Sequence, residues 1–131
     1  MKRLFKFLPV FFLLVAPLGA QEKQSSIGYP SVNAALEALK RDPTAEVRAQ
    51  GGWTIIGQKK GNNFILWSFT PASHPAHPAV VKQTVFEKDS SINVQMDALC
   101  QAKKAPCDKL VEEFKVLTER MGKRIQRNRQ Q

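Results

Sequence analysis

The chain has 131 residues, with 20 Lys and Arg against 11 Asp and Glu and a formal net charge of +9. That length is one domain's worth, large enough to bury a core without a metal staple. Beyond the first twenty residues no apolar run reaches membrane length, which excludes a transmembrane protein once the leader is processed.

Lys2, Arg3 and Lys6 form a basic start, residues 8–16 (LPVFFLLVA) form an apolar run, and Pro17-Leu18-Gly19-Ala20 ends on a small residue. This order predicts a secretory signal peptide over residues 1–20, cut after Ala20. The expected address is the periplasm. No cysteine follows the cut, so no lipid anchor is expected. Without the three leader bases, 17 bases face 11 acids. Arg120, Lys123, Arg124, Arg127 and Arg129 all fall in the last twelve residues, which hold no acid. The body is near neutral and the positive charge gathers at the C-terminus.

Residues 21–28 (QEKQSSIG) are polar and read as a flexible leader to a single domain over residues 29–121. Ser31 is a good N-cap, and Val32, Ala35, Leu36 and Leu39 follow at helical spacing. Asp42-Pro43 stops this helix, because a residue before proline is pushed out of the α region. Residues 46–50 read as a short strand and Gly51-Gly52 as a hairpin turn or bulge. Residues 53–56 make a second strand and residues 57–63 (GQKKGNN) a polar turn. Residues 64–70 (FILWSFT) are apolar on both faces, as in a central strand. Residues 71–79 (PASHPAHPA) carry three prolines and form a loop. Residues 80–88 resume β-branched and aromatic residues. Ile92, Val94 and Met96 then alternate with polar residues, a strand with one wet face. Pro106 suits the first position of a second helix. Its apolar stripe is Leu110, Val111, Phe114, Leu117 and Met121, and Gly122 is a natural stop before a basic tail over residues 122–131. A helix, four to five strands on short turns and a helix predict an α+β domain: one antiparallel sheet with both helices on one face.

Cys100 and Cys107 are the only cysteines. In an exported chain they predict a disulfide. No histidine is near them and their spacing is not that of a zinc site. His74 and His77 lie in HPAHPA and are the one candidate metal pair, with no third ligand close in sequence. No nucleophile elbow, phosphate loop or dinucleotide fingerprint occurs. An enzyme is therefore not expected, and no cofactor is implied. The partner-binding candidates are the bases Arg120, Lys123, Arg124, Arg127 and Arg129, with Trp53 and Trp67 on a sheet face. In an exported protein such bases meet an envelope protein or an anionic envelope surface. Nucleic acid is disfavoured by the address. The alternative is a small inhibitor or immunity protein, blocking a periplasmic enzyme with the loop at 57–63 or at 71–79.

The segments YPSVNAALEAL, GGWTII, LWSFTPASHPAHPAVVK and LCQAKKAPCDKLVEEF together resemble a group of small exported proteobacterial proteins of unestablished function, some labelled chaperone-like. The resemblance spans residues 29–121. It implies an exported single domain with one disulfide and transfers no site residue.

Overall fold

The computed structural model describes residues 25–131. The signal peptide read over residues 1–20 lies outside the described residues. The elements run α1 (Val32–Arg41), β1 (Ala45–Gln50), β2 (Trp53–Lys60), β3 (Asn63–Phe69), β4 (Ala79–Lys88), β5 (Ser91–Cys100) and α2 (Lys104–Arg129). The strands pair antiparallel in chain order, so the sheet is a simple meander with β1 and β5 at its edges. The fold is α+β, an antiparallel five-stranded sheet with a short helix before it and a long one after it. No helix among the described residues is long and apolar enough to cross a membrane.

Local chemistry sets the boundaries of α1. Ser31 Oγ accepts from the Ala34 amide at 3.0 Å, and Gln101 Oε1 accepts from the Val32 amide at 3.1 Å. Two of the free amides of the first turn are thus satisfied, one of them by the segment that follows β5. At the other end the Asp42 carboxylate folds the chain back towards β1. It accepts from the Thr44 hydroxyl at 2.7 Å and the Thr44 amide at 2.8 Å.

The two helices lie on opposite faces of the sheet, which corrects the expectation of one shared face. Neighbouring residues of a strand point to opposite faces, so register assigns every side chain. Val80 packs with Ile56, Trp67 and Phe69 against Val32, Ala35 and Leu39 of α1. Val81, one residue on, packs with Ala79 and Met96 against Leu110 and Phe114 of α2. The physical reason is that β3 and the start of β4 are apolar on both sides. A sheet of this kind needs a cover on each face, and α1, at ten residues, can screen only part of one.

Boundaries also differ from the reading above, and α2 begins at Lys104, two residues ahead of Pro106. Ile27 is fully buried beneath α1, so the fold begins within the residues read as a flexible leader. The polar stretch at 57–63 is mostly strand: β2 runs to Lys60, β3 starts at Asn63, and only Gly61-Asn62 turns. Finally, α2 does not stop at Gly122 but continues to Arg129. A glycine weakens a helix without ending it, and tertiary contacts hold the last turns. Gln126 Oε1 accepts from the Ile92 amide at 3.0 Å, and Arg129 pairs with Glu87 at 2.6 Å. The segment read as a basic tail is therefore the end of a docked helix.

Candidate partner-binding surface

Register separates four surface quadrants. On the α1 face, the half formed by β4 and β5 is mostly polar, with Lys82, Thr84, Gln95 and Asp97, and with the half-buried Phe86 at one end. That is the expected wet half of an antiparallel sheet. On the α2 face, α2 lies over β5 and β4. The other half of that face, on β1 to β3, is left open. Its side chains are Glu46 and Arg48 from β1, Ile55 and Lys59 from β2, and Phe64 and Leu66 from β3. Phe64 is 40% exposed. Thr44, Glu46, Arg48, Gly57, Phe64 and Leu66 help to line a cleft of about 300 Å³ here.

Gly57 shapes this cleft. A Cβ placed on Gly57 would approach the Phe64 ring to 3.3 Å. The absent side chain lets the ring lie down across β2, where it forms part of the cleft wall. The neighbouring flank of α2 completes the surface. Trp53 of β2 meets Phe114 with ring centroids 5.8 Å apart, so this side of α2 faces back across the sheet. Leu117 and Met121 continue that flank at three and seven residues from Phe114. Leu117 is 49% exposed and borders a shallow groove with Arg120, Met121 and Arg124.

The five C-terminal bases do not form one patch. Arg120 and Arg124 flank the apolar groove beside Leu117 and Met121. Lys123 and Arg127 lie on the opposite side of α2, next to Ile92 at the sheet edge. Arg129 is held in its ion pair with Glu87. The two tryptophans also part company. Trp67 is 2% exposed, stacked edge-on against Tyr29 and covered by Lys82, whose Nζ lies 5.1 Å from the ring. Its Nε1 donates to Gln58 Oε1 at 3.3 Å, and Gln58 Nε2 donates to Asp42 Oδ2 at 2.6 Å. Trp67 is thus a core residue in a polar relay and presents no ring to a partner. The bonds from Thr44, then that from Gln58, hold the Asp42 carboxyl below the usual carboxylate range. Trp53 is partly buried between His74 and Phe114, at the end of the open face.

His74 and His77 are both engaged at Nδ1. His74 Nδ1 accepts from the Ala76 amide at 3.0 Å. His77 Nδ1 lies 2.9 Å from the Thr70 hydroxyl and 3.1 Å from the Thr70 carbonyl. These bonds and the Trp53 contact fasten the 71–79 loop between β2 and α2, with Ala76 fully buried. Among the described residues no group of three or more His, Cys, Asp and Glu is assembled for a metal. Cys100 and Cys107 form the predicted disulfide, Cα to Cα 5.7 Å, tying the end of β5 to the first turn of α2. It fixes the start of the helix whose far flank borders the groove.

Sequence reasoning placed Phe64 and Leu66 in a central strand but did not see that their side is uncovered. Lys59 enters that reading only within the loop at 57–63, and Arg48 does not enter it. The usable signal was the length of continuous apolar sequence in β3, set against helices that cover one half of each face. Searches of protein-family models, of curated proteins and of solved structures find no match to this chain.

Proposed function

We propose that this chain is a non-catalytic binding protein of the cell envelope, exported to the periplasm, which docks a partner presenting acidic groups beside apolar side chains. The observation that carries the reading is the open apolar half-face with cations on both sides. Phe64, Leu66 and Ile55 supply its floor. Lys59 and Arg48 stand at one side, and Arg120 and Arg124 at the other. Apolar surface left between basic groups favours a ligand that neutralises the charge and covers the carbon together. The periplasmic address rests on the leader sequence. The inhibitor reading has less support, because one of its two loops is a two-residue turn and the other is packed against Trp53.

The test is affinity capture from a periplasmic extract with full-length mature protein. Deleting residues 120–131 is a poor test, since Gln126 and Arg129 hold the β4–β5 hairpin. Point variants at exposed sites are better: Phe64→Ser, Leu117→Ser and the pair Arg120→Glu/Arg124→Glu. A partner retained by the wild type and lost by these variants, with far-UV circular dichroism unchanged, is the expected result. Equal retention by all of them, or capture of nothing by the wild type, overturns the reading.

A further inference from the structure

The two edges of the sheet are finished differently. At β5 the outward Ile92 amide is taken by Gln126, the outward Ala98 carbonyl accepts from Ser26 at 3.4 Å, and α2 lies across the strand. At β1 nothing comparable is present among the described residues. Five of its six residues are exposed, with Val47 at 49%. It has no proline and no bulge to blunt it, and its two charges, Glu46 and Arg48, are of opposite sign.

The unpaired groups of β1 can be named. Gly51-Gly52, both at positive φ, make a two-residue hairpin turn, so Gln50 and Trp53 form a hydrogen-bonded pair. Alternation then makes Arg48–Ile55 and Glu46–Gly57 hydrogen-bonded pairs as well. Ala45, Val47 and Ala49 therefore turn their amides and carbonyls outward. The Ala45 amide is already bonded to the Asp42 carbonyl at 3.2 Å. The Val47 and Ala49 amides and the outward carbonyls of the strand have no such partner among the described residues.

We propose that β1 pairs antiparallel with β1 of a second copy of this chain, with Val47 opposite Val47, joining two five-stranded sheets into one. Val47 then exchanges both backbone bonds with its counterpart, and each Ala49 amide reaches the other copy's Ala45 carbonyl. The charges select this register. With Val47 on the two-fold axis, Glu46 of each copy lies opposite Arg48 of the other. These are the closely spaced, non-hydrogen-bonded positions of the new ladder, where side chains interact most strongly. Sliding one way sets Glu46 against Glu46; sliding the other way sets Arg48 against Arg48. Neither residue joins an ion pair within the described residues. The contact is isologous and closes at two copies. It rests on the strand edge and not on the partner-binding reading, although the two share Arg48, which with Glu46 also lines the cleft beside Phe64.

The test is sedimentation equilibrium on the mature protein. Glu46→Arg alone, or Arg48→Glu alone, opposes like charges twice in the dimer and should raise its dissociation constant at least ~10-fold. The double variant Glu46→Arg/Arg48→Glu restores opposite charges and should return the constant to the wild-type range. Mixing the two single variants should yield a heterodimer. Val47→Pro should leave a folded monomer, because the Val47 amide points away from β2. A wild type that remains monomeric at millimolar concentration overturns the proposal. So does a dimer that the single reversals and Val47→Pro leave intact.

Discussion

Single polar residues bind the layers of this protein together. Gln58 is buried and bridges Asp42 at the end of α1 to the indole of Trp67 in β3. Gln58→Leu would leave the Trp67 N–H buried with no acceptor, an expected loss of about 1–3 kcal/mol in chemical denaturation. Asp42 links that relay to pH. Its pKa lies below the ordinary value near 3.8, held there by the Thr44 hydroxyl first, then by the Thr44 amide and Gln58. A carboxyl with a lowered folded-state pKa stabilises fully above its unfolded value, and that contribution is lost as pH falls through the folded one. Thermal melts from pH 5 to pH 2 should therefore show a shallower acid decline in Asp42→Asn than in the wild type. In the sequence Gln58 reads as part of a polar turn, so neither its place in β2 nor its burial was legible. Only the crossing of α1 over β2 places it under cover.

Helix α2 shows how far an element can depart from its own sequence. Its apolar stripe and the proline in its first turn are plain in the chain. Gly122 and the five bases look like an ending. The helix runs through them because Gln126 and Arg129 find partners at the β4–β5 hairpin. Gly122 also faces β5, yet a Cβ there would sit 3.7 Å from Val94 Cγ2, an ordinary contact. Gly122→Ala should therefore fit and raise stability by about 0.5–1 kcal/mol, read as a higher melting temperature. A melting temperature that falls would show the contact with Val94 to be tighter than this. The disulfide between Cys100 and Cys107 acts at the opposite end of the helix. Its loop is short, so Cys100→Ser with Cys107→Ser should cost on the order of 2–3 kcal/mol while leaving the fold type unchanged.

At the scale of the whole molecule, the two helices divide the work. One covers half of the front of the sheet and the other covers half of the back. The uncovered front is mostly polar, Phe86 apart, whereas the uncovered back is floored by Ile55, Phe64 and Leu66, and that asymmetry marks the candidate site. Partner binding there combines charge with apolar contact, so it should weaken as salt rises but not vanish. The Debye length falls from about 10 Å at 0.1 M to about 3 Å at 1 M, while burial of carbon is little affected. Titration of the captured partner across that range should show a fall in affinity in the wild type and a flatter response in Arg120→Glu/Arg124→Glu. An equal slope in both would place the charge dependence elsewhere.

Periodicity and turn chemistry by themselves determined most of the elements, the antiparallel pairing and the one possible disulfide. These are local properties: spacing along a helix, alternation along a strand, and the residues that permit a tight turn. Tertiary structure decided which face each helix covers and where α2 ends. It also decided which apolar strand residues stay in contact with solvent. Those outcomes depend on contacts between residues far apart in the chain, such as Val80 with α1, Val81 with α2, and Gln126 with Ile92. Phe64 and Trp67 share one short apolar strand, and only the placement of the two helices makes one a candidate contact and the other core.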